Sequence, residues 1–162
     1  MALHLGTERL RLRPWVESDV DGYRALVTER GNGEPSVANI REHIASQLAT
    51  TAQTGIALLP ICRRLEGDFI GYCGLIVGRS SINEPEIAYE LFQRAHGHGY
   101  ATEAARAVLD AAIATGRTRL WSTVGSWNSP SLRVLETLGF KRDHVMTKDD
   151  GDEVVWLTRV LP

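Results

Sequence analysis

Residues 8–15 alternate, with Leu10 and Leu12 on one side and Arg9, Arg11 and Arg13 on the other. A period of two puts one face on a core and the other in water, which predicts a half-buried opening strand. The period then lengthens. Val20, Tyr23, Leu26 and Val27 recur at helical spacing behind Ser18 and Asp21, a variant capping box, so a first helix runs to about Arg30. Residues 31–35 form a turn cluster, after which Ser36 can cap a second helix carrying Val37, Ile40, Ile44 and Leu48.

From Gly55 the pattern returns to strands: 56–64, 69–77 and 86–92, joined by a tight turn at Glu66-Gly67-Asp68 and a loop over 78–85. This reads as an antiparallel meander. Ala101, Ala104, Ala105, Val108, Leu109, Ala112 and Ile113 then mark a long helix ending at Gly116. A short strand (120–124), a short helix (128–138) closed by Gly139, and a hairpin of 140–147 with 153–160 complete the chain. The order β-α-α-β-β-β-α-β-α-β-β predicts an α/β fold: a mixed, mostly antiparallel sheet flanked by about four helices, in a single domain over 1–162.

Composition narrows the function. At 162 residues and 43% hydrophobic content, one core suffices. A net charge of -2 supplies no broad positive field, so nucleic acid is not an expected partner. No apolar run approaches the roughly 20 residues of a membrane-spanning helix, and residues 1–6 do not read as a secretory signal. The expected location is therefore cytoplasmic. Cys62 and Cys73 match neither a zinc nor a redox spacing. They are symmetric about Gly67-Asp68 and would face each other across a hairpin with that tip, as two half-buried thiols or, alternatively, as a disulfide.

The candidate chemistry lies at Arg94-Ala95-His96-Gly97-His98-Gly99-Tyr100-Ala101, between a strand and the long helix. Two glycines two residues apart let backbone approach a ligand, and a helix's first turn leaves N–H groups unpaired with partial positive charge behind them. That combination suits a pyrophosphate; otherwise the glycines merely relieve a strand-to-helix turn. The third glycine of a dinucleotide fingerprint is replaced by Thr102, and no Gly-Lys-Ser/Thr follows, so neither nucleotide motif applies.

Arg94-x-x-Gly97-x-Gly99, continued by Tyr100-Ala-Thr-Glu-Ala, resembles the pyrophosphate motif of the GNAT acyltransferases. The opening Thr7-Glu-Arg-Leu-Arg-Leu-Arg-Pro-Trp with Asp19, and the stretch from Asn128-Ser-Pro-Ser131 to Leu138-Gly-Phe140, extend the likeness to the branch that includes the ribosomal-protein N-terminal acetyltransferases and many small-molecule acetyltransferases. The resemblance implies acetyl-CoA as cosubstrate, bound where two strands splay; no metal is expected, since no Cys, Asp or Glu completes a ligand set near His96 and His98. It implies that amides around Ala95, Gly97, Gly99 and Tyr100 hold the pyrophosphate at the head of the helix containing Ala101, and that backbone of Leu91 and Phe92 bonds the pantetheine and the acetyl carbonyl. Asn128 corresponds to a pantetheine contact, although asparagine is equally suited to a helix N-cap. Many relatives carry a tyrosine in the helix that follows; none stands in the equivalent helix here, and Ser131 is the substitute, hydrogen-bonding the departing thiolate. Glu90 is the first candidate for a base, with Glu86 and Glu84 behind it, and a solvated strand edge is the alternative for each. His96 and His98 read as solvated loop residues.

The implied activity is transfer of an acetyl group to a primary amine, a peptide N-terminus or a small molecule, by direct attack in a ternary complex. A non-catalytic CoA-binding module of the same fold is the alternative, and a longer acyl donor is compatible with the same motif. Edge strands of a mixed sheet also make a homodimer a possible assembly.

Overall fold

A computed structural model describes residues 1–162. Strands β1 (Leu5–Gly6) and β2 (Leu10–Leu12) lead into helices α1 (Val20–Glu29) and α2 (Val37–Thr54). The meander β3 (Leu58–Arg63), β4 (Phe69–Ile76) and β5 (Glu86–Leu91) follows, then α3 (Tyr100–Ala114), β6 (Arg119–Gly125), α4 (Ser129–Thr137), β7 (Lys141–Thr147) and β8 (Glu153–Val160). The strands form one eight-stranded sheet in the order β1-β2-β3-β4-β5-β6-β8-β7. Every neighbouring pair is antiparallel except β5 with β6. The expected element order is present, with the two-residue β1 added.

The opening strand is shorter than its alternation predicts. Thr7 N and Oγ1 bond Leu10 across a turn at its start, and Pro14, lacking an N–H, cannot continue a ladder at its end. The first helix is entered differently from expectation. Ser18 makes no cap; Glu17–Asp19 form a 3-10 turn, and the buried Asp19 carboxylate accepts from Val16 N at 2.9 Å and from both terminal nitrogens of Arg13 at 2.8 and 2.9 Å. That bidentate pair ties Arg13, just after β2, to the N-cap of α1. Ser36 caps α2 as expected, accepting from Asn39 N.

The two sheet faces carry separate cores. On one, Ala104, Ala105, Val108, Leu109 and Ala112 of α3 and Leu132 and Leu135 of α4 pack on Leu10, Leu59, Ile61, Ile87, Leu120 and Leu157. On the other, α1 and α2 bury Trp15, Val20, Tyr23, Ile40 and Ile44 beside Phe69 and Tyr72.

The cysteines do not face each other. The β3–β4 register pairs Cys62 with Phe69 and Cys73 with Leu59, and both thiols are free. The hairpin closes between Arg63 and Asp68, so its tip precedes the Gly67-Asp68 centre that symmetry assumed. Burial pushes both thiols up, Cys73 being fully enclosed.

Candidate active site

β5 and β6 meet at a single ladder pair, Glu86 with Trp121, whereas β6 pairs with β8 along its whole length from Arg119 to Gly125. The buried Ser122 hydroxyl donates to Ile87 O at 3.0 Å, closing the first carbonyl beyond that pair. Past it β5 pairs only with β4, and the two parallel strands part. The β6-facing edge of residues 88–91 is left without ladder partners. Such an edge offers main-chain donors and acceptors to an extended ligand, as a strand edge does to a peptide.

At the wide end of this V the chain passes through the 3-10 turn Gln93–Ala95 and the loop into α3. Gly97 and Gly99 both adopt left-handed φ, +77° and +78°, and a Cβ at Gly97 would meet nothing within 4 Å. None of the amides of residues 97–102 donates to a backbone or side-chain acceptor, the next bond being Glu103 N to Gly99 O. A run of unpaired N–H groups at a helix N-terminus is an anion cradle. Gly97, Gly99, Tyr100 and Ala101 all contribute amides to this run.

Arg94 and Ala95 lie outside that set. Ala95 is buried and its amide donates to Phe92 O at 2.9 Å. Arg94 turns to the β3–β4 hairpin, donating to Asp68 Oδ2 at 3.0 Å and Phe69 O at 3.1 Å over the Phe92 ring. Of the main-chain groups expected for the pantetheine, Phe92 N donates to Ile70 O and Leu91 O is bonded by the His96 ring at 3.1 Å. His96 is thus a strut across the loop base, not only a solvated residue.

Arg9 was not singled out from the sequence, where it stands on the polar side of the first strand. Its guanidinium donates to His98 O at 2.9 Å and to Glu103 Oε1 at 2.7 Å, and lies 4.4 Å over the Tyr100 ring. Glu103 also accepts from Thr7 Oγ1 and Arg9 N. Burial alone would raise the Glu103 carboxyl, but those hydrogen bonds and the Arg9 charge outweigh it and hold it below the usual range. The turn between β1 and β2 therefore pins the cradle from outside.

Successive β5 side chains take opposite faces. Glu90 faces α1, where Arg30 Nε donates to its two oxygens at 2.9 and 2.8 Å and the Tyr72 hydroxyl reaches Oε1 at 3.2 Å. Burial, with the Glu90 charge behind it, keeps the Tyr72 phenol protonated. Next to Arg30, a cavity of about 260 Å³ between α1 and α2 is lined by Tyr23, Val27, Ile40, Asn39 and His43. Glu86 and Glu84 have structural partners: buried Glu86 accepts from Thr123 Oγ1 and Arg79 N, and Glu84 engages Arg119 and Trp121.

Tyr89 faces the other way and crosses the V to α4. Its hydroxyl lies 2.9 Å from Ser131 Oγ and 3.0 Å from Ser131 O. Asn128 Oδ1 accepts from Ser131 N at 3.3 Å, the N-cap alternative, which leaves its side-chain NH₂ free to donate. A tyrosine hydroxyl thus reaches α4 from the strand, and no spacing rule connects residues 89 and 131.

The family model for the acetyltransferase (GNAT) domain matches residues 9–141, from the cradle-pinning Arg9 to the end of α4 and beyond. The chain belongs to the GNAT acetyltransferase family. The uncharacterized protein YkkB of Bacillus subtilis is 33% identical over 153 residues, covering 89% of this chain and 88% of that protein. An acetyltransferase of Agrobacterium tumefaciens superposes with a TM-score of 0.80 at 28% identity, covering 98% of this chain and 95% of that one. RimL, a ribosomal L7/L12 alpha-N-protein acetyltransferase solved with coenzyme A, superposes with a TM-score of 0.84 at 17% identity over 98% of both chains, a likeness of fold. This GNAT protein is an acyltransferase, and no helix of it is long and apolar enough to cross a membrane.

Proposed function

We propose that the protein transfers the acetyl group of acetyl-CoA to a primary amine in a ternary complex. The observation that carries this reading is the run of unpaired amides at 97–102 at the wide end of the β5–β6 V. A pyrophosphate on those amides would direct the pantetheine along the bare edge of β5, bringing the thioester between Glu90 and Ser131. The amine nitrogen attacks the acetyl carbon, the C–N bond forms, the C–S bond breaks, and the electron pair leaves on sulfur.

The acceptor would enter from the α1–α2 face, where Arg30, Glu90 and the adjacent cavity lie. Glu90 would attract the incoming ammonium, with Arg30 yielding part of its contact, and receive the surplus proton directly or through water. An α-amino group, ordinarily titrating at about 7.7–8.0, needs little such help, whereas a lysine at about 10.4 needs much. Peptide N-termini are therefore the first acceptor class, in keeping with the activity named for RimL.

Thiol release from acetyl-CoA against N-terminal peptides, polyamines and amino acids tests the reading. Release that depends on both acetyl-CoA and one amine class is expected. Tight acetyl-CoA binding with no release for any amine would overturn it.

A further inference from the structure

Ser131 presents a difficulty as the group that meets the departing sulfur. A serine hydroxyl rotates freely about its Cβ–Oγ bond and carries one proton, so half-buried beside other acceptors it has no reason to point that proton at a ligand. Tyr89 supplies the constraint. Its oxygen lies within bonding distance of both Ser131 Oγ and Ser131 O, and it too has a single proton. When Tyr89 donates to Ser131 O, the serine proton points back at the phenol. When it donates to Ser131 Oγ, that proton is released toward the cleft. The serine backbone is held meanwhile by Asn128, so only the hydroxyl is free to switch.

We propose that Tyr89 is a positioning residue that turns the Ser131 hydroxyl toward the leaving sulfur. This rests on the acetyl-transfer reading above. As the C–S bond breaks, charge develops on sulfur and the Ser131 O–H donates to it. The phenol proton shifts from Ser131 O to Ser131 Oγ and compensates the polarised serine oxygen. No proton leaves either residue: the thiolate is protonated by solvent, and the acylated nitrogen loses its proton to Glu90 or water. Burial, eased in part by the Ser131 contact, pushes the Tyr89 phenol up to about 12, which fits a phenol that donates hydrogen bonds and is not consumed as an acid.

The test is a double-mutant cycle, Tyr89→Phe, Ser131→Ala and both together, read by initial rates of thiol release and by melting temperature. Tyr89→Phe keeps the ring in its packing. The expected loss is about tenfold in kcat, in line with one positioned neutral hydrogen bond, with the KM for acetyl-CoA within about twofold. Because the phenol acts only through the serine, the double variant should be no slower than Ser131→Ala. An unchanged kcat in Tyr89→Phe, losses that multiply in the double variant, or a rise in KM accompanied by a lowered melting temperature would each overturn the proposal. Wild-type protein that binds acetyl-CoA but releases no thiol to any amine removes the parent reading and this inference together, whereas amine-dependent turnover unaffected by Tyr89→Phe removes the inference alone.

Discussion

Gly99→Ala separates the cradle's chemistry from its contribution to the fold. Gly99 caps α3 at φ +78°, and an added Cβ would meet only Arg9 Nη2, at 3.5 Å, an ordinary contact. The folding cost is therefore that of a left-handed L-residue, about 1–2 kcal/mol, or about 2–8 °C in melting temperature for a chain of this size. Gly116, just beyond the other end of the same helix at φ +81° with nothing near its Cβ, provides a control with equal backbone cost and no role in the cradle. Acetyl-CoA at 100 times its dissociation constant should stabilise the wild type and Gly116→Ala by about 2.7 kcal/mol, a rise of about 5–11 °C. In Gly99→Ala the residue either keeps its φ and crowds the anion or rotates and turns its neighbours' amides away. With affinity lowered about 100-fold, the same concentration adds only about 0.4 kcal/mol and the rise shrinks to about 1–2 °C. Thermal melts of the three proteins with and without acetyl-CoA decide the matter. A full ligand-induced rise in Gly99→Ala would refute the assignment of residues 97–102 as the pyrophosphate site.

Other expectations follow from the supporting contacts. Arg9→Ala removes the cation from His98 O and Glu103; since the guanidinium is 43% exposed, a loss near 1 kcal/mol is expected, seen as about a fivefold rise in the KM for acetyl-CoA with kcat nearly constant. Arg13→Met leaves the buried Asp19 carboxylate unpaired and should lower stability by about 3–5 kcal/mol, measured by urea unfolding; a loss under about 1 kcal/mol would show that the pair is not structural. The Asp68 carboxyl, hydrogen-bonded first by Arg63 and then by Arg94, and that of Glu103 both lie below their unfolded values in the fold. Lowered acids stabilise the fold above the unfolded values of about 3.9 and 4.3 and lose that contribution as pH falls through their folded values. Melting temperature should therefore fall on acidification below about pH 4.5, with a shallower fall in Asp68→Asn and Glu103→Gln; a flat or rising profile below that pH would contradict the sign.

Local pattern determined the elements because a hydrophobic period records that a face is buried, whichever neighbours bury it. The alanine-rich stripe of α3, the Ser36 cap and the Gly-x-Gly at the head of α3 needed no knowledge of the rest of the chain, since their physics acts within a turn or two. The family resemblance was legible for the same reason: its motifs are contiguous.

What tertiary structure alone decided was partnership. Period-two alternation states that Tyr89 and Glu90 lie on opposite faces but not which face meets which helix, so Glu90 joining Arg30 across 60 positions and Tyr89 joining Ser131 across 42 were invisible in the chain. Arg9 lay in plain sight on a polar face, yet its contact with Glu103 spans 94 positions. The hairpin tip shifted because hydrogen bonding between Arg63 and Asp68, not symmetry about a glycine, sets where a loop closes. The parting of β5 and β6 has no signature in either strand. It arises because β6 is held along its length by β8 and touches β5 at only one pair, a competition between neighbours that exists only once the sheet has assembled.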